Sequence, residues 1–132
     1  MLEQADGALF PLPPIEIVPR KNDFYDYDSK YADRGSDHII PPHGMSAQKI
    51  RAVQAVAAQA HRVIGCRGMS RADFIMDAGG NLYILEINTI PGMTPTSLLP
   101  QAAAAAGISF PRFLDMLISA ARARTPLDTS AL

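Results

Sequence analysis

The chain has no tryptophan and only one cysteine, Cys66, in 132 residues. A single thiol excludes an internal disulfide and suits a reducing compartment, and its plain expectation is a place in the core. A basic surplus is missing as well: 12 Lys and Arg against 13 Asp and Glu leave a formal net charge of -1. Without that surplus there is little counterion release to drive binding to a polyanion, so nucleic acid is not an expected partner. No apolar run approaches the roughly 20 residues of a membrane span, and the opening residues lack a basic and apolar leader. A membrane is therefore not an expected partner either, and a cytoplasmic protein is expected. His38, His43 and His61 have no spacing that would bring them together on a metal, and all three are read as non-catalytic. What is present is 48% hydrophobic content, enough for one domain with a real core that binds a small ligand.

The stretch from Leu82 to Leu99, LYILEINTIPGMTPTSLL, carries the most chemistry. It reads as a strand followed by a helix. Glu86 and Asn88, two apart at the strand's end, leave the same face. Pro91, Gly92 and Pro95 turn the chain, after which Thr96 and Ser97 can cap a helix through Leu98, Leu99 and the alanines. A free helix N-terminus invites an anion.

Upstream, Met1 to Ala8 has no legible pattern. Ile15 to Val18 is an edge-strand candidate confined by prolines at 11, 13, 14 and 19. Lys21 to Pro42 has neither helical nor strand period and is expected to be a long surface loop. Lys30 could meet a phosphate there, and Phe24, Tyr25, Tyr27 or Tyr31 could cover a flat ligand. From composition alone, a solvated loop anchored by its aromatics explains it as well. Ser46 to Ile64 is predicted as a helix, with Ser46 as N-cap and Gly65 as the residue that ends it. Ile50, Val53, Ala57, Ala60 and Ile64 form its apolar stripe. Lys49, Arg51, Gln54 and Arg62 take its wetter face. Ser97 to Ala106 is a second helix. A third, capped by Ser109, presents Phe113, Leu114, Leu117, Ile118 and Ala121 as packing residues. Residues 125-132 read as a frayed tail.

Met69 to Asp77, the turn AGGN and Leu82 to Asn88 form a hairpin. If Ala78 to Asn81 is a four-residue loop, with Asp77 opposite Leu82, Asp73 faces Glu86 and Arg71 faces Asn88. Two carboxylates directly opposed repel unless something positive lies between them. A hard divalent cation such as Mg2+ or Mn2+ suits these oxygen donors. The alternative is a solvated polar strand face. The nearby glycine-proline turn and helix N-terminus favour the metal, because phosphoryl transfer needs cation and anion sites side by side.

The run SRADFIMDAGGNLYILEINTIPGMTPTSLLPQAA, followed by GISFPRFLDMLI, closely resembles the C-terminal end of bacterial D-alanine–D-alanine ligases of the ATP-grasp superfamily, and FYDYDSKY is similar to their lid loop. The resemblance implies an α+β fold, a partial ATP-grasp domain of mainly antiparallel sheet with flanking helices, and places residues 21-42 as a lid-like loop. It implies ATP-dependent joining of two D-alanines through an acyl phosphate, for peptidoglycan precursors. By position Asp73, Glu86 and Asn88 match ligands of two divalent ions, Mg2+ or Mn2+, with Glu86 bridging them. Arg71 matches the arginine that steadies the transferring phosphoryl group, and Gly92 a backbone donor to the oxyanion. Ser97 and Leu98 match the pair that holds the second alanine's carboxylate. Lys30 and Phe24 match lid residues near the nucleotide, Ile75 an adenine-pocket residue, and Tyr31 the lid tyrosine that closes over the substrates.

Members of this family are much longer. The resemblance therefore implies a chain that starts inside the central ATP-grasp domain, with the N-terminal half of the ligase as its partner, inactivity alone, and a possible homodimer in the complete enzyme. The rival reading is a non-catalytic fragment acting as a binding module. Retention of Asp73, Glu86, Arg71 and Ser97 argues against it.

Overall fold

The computed structural model describes residues 1-19 and 36-123. Among them, three two-stranded antiparallel sheets accompany three helices, so the fold is α+β as expected. Strands β1 (Leu2–Glu3) and β2 (Leu9–Phe10) form one hairpin. Strand β3 (Glu16–Pro19) pairs with β4 (Ser36–Ile39). Helix α1 (Ala47–Ile64) leads into the hairpin of β5 (Arg71–Met76) and β6 (Leu82–Asn88), and α2 (Leu98–Ala105) and α3 (Phe110–Arg122) complete the order.

Two expectations about the first 42 residues need correcting. The opening residues are structural: Gly7 takes a left-handed φ of 82°, and Asp6 accepts the Ala8 N–H at 2.9 Å. This turn places Leu2 in full burial. Two-residue strands are too short to show a period, which is why the pattern is silent there. The expected loop also ends earlier than Pro42, because Ser36–Ile39 pairs with the proline-bounded strand, Glu16 opposite Ile39 and Pro19 opposite Ser36.

Helix α1 starts and stops where its sequence signals lie. Ser46 accepts the Lys49 N–H at 3.3 Å, and Gly65, at φ 74°, closes the other end. Its inner stripe follows the expected one at Ile50, Val53, Ala57 and Ala60 and departs from it at the C-terminal end. Val53 and His61 are buried, while Ile64 is exposed. Gln54, placed on the wet face by polarity, turns inward and donates to the carbonyls of Pro11 and Leu12, both at 3.2 Å. His61 Nδ1 meets Ser70 Oγ at 2.7 Å, a buried polar pair that ties α1 to the residue before β5. Buried polar groups are tolerated when hydrogen-bonded, so polarity did not predict exposure at either position. Cys66 is half-buried rather than core.

The main core gathers Leu2, Leu12, Leu99, Ala102, Ala103 and Phe113. Small alanines on α2 let α3 approach closely, and Phe113 fills the space between them. Ser109 accepts the Arg112 N–H at 3.4 Å to start α3, whose inner face is Phe113, Leu114, Met116, Leu117 and Ala120. Ile118 and Ala121, expected on that face, are exposed. Full burial of a large apolar side chain contributes about 1.5–3 kcal/mol, so Leu2, Leu99 and Phe113 dominate this layer.

Candidate active site

The β5–β6 hairpin brings four of the expected residues together. Asp73 pairs with Glu86, and Arg71 with Asn88. The route to that register differs from the expected one. The turn is one residue longer, with Met76 rather than Asp77 opposite Leu82, and a shift between Asp73 and Phe74 leaves Leu85 as an extra residue on β6. This bulge cancels the longer turn. Bulges re-aim the side chains that follow them, so Glu86 and Asn88 face the same way as Arg71 and Asp73. Ile75 and Tyr83 are cross-strand partners on that face as well.

Asp77 fixes the turn. Its carboxylate accepts the Asn81 N–H at 2.8 Å, the Asn81 side-chain amide at 2.9 Å and the Tyr83 hydroxyl at 3.3 Å. Those bonds, the Asn81 side chain's foremost, hold the Asp77 carboxyl below its ordinary range.

The positive charge between the opposed carboxylates is, in this structure, a side chain. Arg71 grips Asp73 with Nε to Oδ1 at 2.7 Å and a terminal nitrogen to Oδ2 at 2.9 Å, and the same terminal nitrogen reaches Glu86 Oε1 at 3.5 Å. The Asp73 contact is a bidentate fork, the strong geometry for an arginine and a carboxylate. Glu86 remains half-exposed, and Asn88 Oδ1 accepts the Ile90 N–H at 2.9 Å. Among the described residues, no three His, Cys, Asp or Glu side chains cluster closely enough to hold a metal by themselves.

Beyond β6 the chain turns through buried Pro91. A Cβ built on Gly92 would lie 2.7 Å from Ser97 Oγ, so this position admits glycine because of a close approach. Ser97 is the N-cap of α2 but makes no side-chain cap bond. Its Oγ turns back instead, 3.1 Å from the Thr94 nitrogen and 2.7 Å from Thr94 Oγ1. The expected use of Ser97 as a hydroxyl cap is thus corrected. Thr94 was not singled out from the sequence, where a threonine three residues before a helix cap is an ordinary turn residue.

Arg71, Asp73, Glu86, Ile75 and Leu98 line one groove of about 820 Å³, which Glu16 also enters. Asn88, Gly92 and Ser97 are not part of its lining. Phe24, Lys30 and Tyr31 lie outside the described residues. No helix among the described residues is long and apolar enough to cross a membrane.

The family model for the D-ala D-ala ligase C-terminus matches residues 3–119. The chain is 48% identical over 120 residues to a D-alanine–D-alanine ligase of Synechococcus sp. strain JA-3-3Ab, covering 91% of this chain and 37% of the relative. It is 50% identical over 113 residues to the one from Gloeobacter violaceus, covering 86% and 36%. A Bacillus anthracis D-alanine–D-alanine ligase crystallised with ATP superposes at a TM-score of 0.66, with 32% identity, over 84% of this chain and 36% of that one. The chain thus spans somewhat more than a third of the length of the curated relatives it matches. The match is to the part that contains the hairpin, the glycine-proline turn and α2, and on it the chain belongs to the D-alanine–D-alanine ligase family, ATP-grasp enzymes by their fold.

Proposed function

We propose that this chain supplies one half of a site that joins two D-alanines at the expense of ATP. The observation that carries the reading is the Arg71 guanidinium, forked onto Asp73 and reaching Glu86, in a groove shared with Leu98 at the start of α2. In the proposed reaction the first D-alanine's carboxylate takes the γ-phosphoryl group of ATP, releasing ADP and leaving an acyl phosphate. The second D-alanine's amine then attacks the acyl carbon. The carbon-nitrogen bond forms, the carbon-oxygen bond to phosphate breaks, and the amine loses its proton.

Each residue has a part in this scheme. Arg71 holds the phosphoryl oxygens through its donors, and positioning with charge stabilisation supplies most of the catalysis in such transfers. The Gly92 N–H donates to the oxyanion, where a single donor is typically worth about a hundred- to a thousandfold in rate. Ser97 and Leu98 take the second D-alanine's carboxylate. Ile75, with Tyr83 across from it, offers an exposed apolar surface to adenine. Phe24, Lys30 and Tyr31 serve as lid residues near nucleotide and substrates, on the segment that precedes β4.

Asp73, Glu86 and Asn88 would hold two Mg2+ or Mn2+ ions. Two carboxylates and an amide fit a hard ion that completes its shell with water and substrate phosphates. Bound there, such ions would supply positive charge against the phosphates, while Arg71 would direct its donors to the phosphoryl oxygens. A cytoplasmic site of action fits ATP and peptidoglycan precursors as reactants.

The remaining phosphate-binding donors and the first substrate's pocket are assigned to the length of the relatives that this chain does not span. The chain alone is therefore expected to show no D-alanine-dependent phosphate release from ATP, and to gain it when mixed with that N-terminal portion. Turnover by the purified chain alone, abolished by Arg71→Ala, would overturn the division of labour.

A further inference from the structure

The turn before α2 holds three hydroxyls in line, and their donor count is informative. Ser97 Oγ lies 2.7 Å from Thr94 Oγ1, which lies 3.2 Å from Thr96 Oγ1. The Thr94 backbone N–H also donates to Ser97 Oγ at 3.1 Å. A hydroxyl has one proton to donate and two lone pairs to accept with. Either hydroxyl of the 2.7 Å pair can donate to the other; when an anion takes the Ser97 proton, the Thr94 hydroxyl becomes the donor of that pair, and with the Thr94 N–H on the other lone pair the Ser97 oxygen is saturated as an acceptor. Its own proton is then the only hydrogen-bonding capacity left. It can serve an anion.

We infer that Thr94 is a positioning residue for the acceptor carboxylate: it holds Ser97 Oγ from two sides and commits the Ser97 proton to the substrate. Thr96, 3.2 Å from Thr94 Oγ1, can extend the series: with the Ser97 proton on an anion and the Thr94 proton on Ser97, the Thr96 hydroxyl is free to donate to Thr94, and such chains strengthen their terminal donor. Gly92 completes the arrangement. Its missing Cβ leaves the 2.7 Å space that Ser97 Oγ needs to adopt this rotamer. The same geometry explains why Ser97 does not cap α2. Its oxygen is engaged upstream, so the first-turn N–H groups of α2 keep no side-chain partner from Ser97 and stay directed at the carboxylate.

The inference rests on the reading of Ser97 as the carboxylate's partner, and two sets of variants separate the two claims. In the complete ligase, Ser97→Ala should raise the KM for the second D-alanine roughly ten- to a hundredfold, as loss of a charge-assisted bond. An unchanged KM in that variant overturns the reading itself. Thr94→Val keeps the shape and the backbone N–H but removes the hydroxyl. It should raise the same KM roughly three- to tenfold and leave kcat within about twofold, while Thr94→Ser restores the KM. If Ser97→Ala behaves as expected but Thr94→Val leaves the KM unchanged, or Thr94→Ser is as impaired as Thr94→Val, Thr94 has no positioning role.

Discussion

The layer formed by β1, β2, α2 and α3 and the hairpin of β5 and β6 have comparable apolar content and opposite fates. In the first, Leu2 and Phe113 are wholly buried and α2 contributes Leu99, Ala102 and Ala103 to the same cluster. In the second, Tyr83 is 54% exposed and Leu85 62% exposed, with Ile75, Met76 and Ile84 beside them. A two-stranded sheet is marginal by itself, and an apolar surface of this extent is more than a stable isolated unit ordinarily leaves uncovered. The first region is held by packing. The second is held by its turn and by charge, through Asp77 at one end and the Arg71, Asp73 and Glu86 set at the other. Stability and chemistry are thus separated in the chain, and substitutions should tell them apart.

The largest effect is expected at Phe113. Phe113→Ala opens a cavity between α2 and α3 and should cost about 3–5 kcal/mol, enough to unfold much of the population, whereas Leu85→Ala should change stability by no more than about 0.5 kcal/mol. Urea unfolding of both variants checks the contrast. Equal losses would mean that the hairpin is packed as firmly as the core.

Arg71→Ala reverses the contrast. In the complete ligase it should lower kcat by about a hundredfold or more, as the loss of a transition-state donor, while the unfolding midpoint of the chain moves far less than in Phe113→Ala. Some loss of hairpin stability is expected, because Asp73 and Glu86 would then face each other with no positive group between them. Steady-state kinetics beside thermal unfolding gives both readouts. A variant with full activity removes Arg71 from the reaction. Glu86→Gln should act on the metal instead, raising the Mg2+ or Mn2+ concentration for half-maximal activity roughly ten- to a hundredfold. Titration calorimetry in the presence of ADP measures it directly, and unchanged metal affinity would exclude Glu86 as a ligand.

The two regions were also unequally legible in the sequence. Caps and breakers are local, so Ser46, Gly65 and Ser109 marked their helix ends directly. The facing of Asp73 and Glu86 was legible too, although the turn is one residue longer than its sequence suggests and Leu85 bulges, two one-residue departures that offset each other. Nothing in LYILEIN announces a bulge, because each residue there suits a regular strand. Burial was less readable where polar atoms find partners. His61 is buried and Gln54 half-buried because Ser70 and the Pro11 and Leu12 carbonyls receive them, and those partners are set by tertiary contact. The Thr94 and Ser97 contact was hidden for a similar reason, since a hydroxyl's direction is decided by its neighbours in space. Phe24, Lys30 and Tyr31 fall outside the described residues, and the lid role proposed for them comes from the family resemblance of the sequence.

The smallest effect expected is at Asp77, and it isolates the hairpin from the core. The folded-state pKa of Asp77 is lowered, chiefly by the Asn81 side chain and backbone amides. The unfolded state therefore takes up a proton more readily. The stabilisation is present in full above the unfolded pKa, near 3.8, and is lost as pH falls through the lower folded value. Asp77→Asn cannot supply the ionised acceptor at any pH. The difference in stability between wild type and Asp77→Asn should be largest near neutral pH and shrink on acidification below about pH 4. Because the turn is local, the change should surface in amide exchange of β5 and β6 before it reaches α2 and α3, since elements open by sub-global units of unequal stability. A stability difference independent of pH would show that the Asp77 charge does not hold the turn. Exchange accelerated equally in the Phe113 layer would show that the hairpin and the core unfold as one unit.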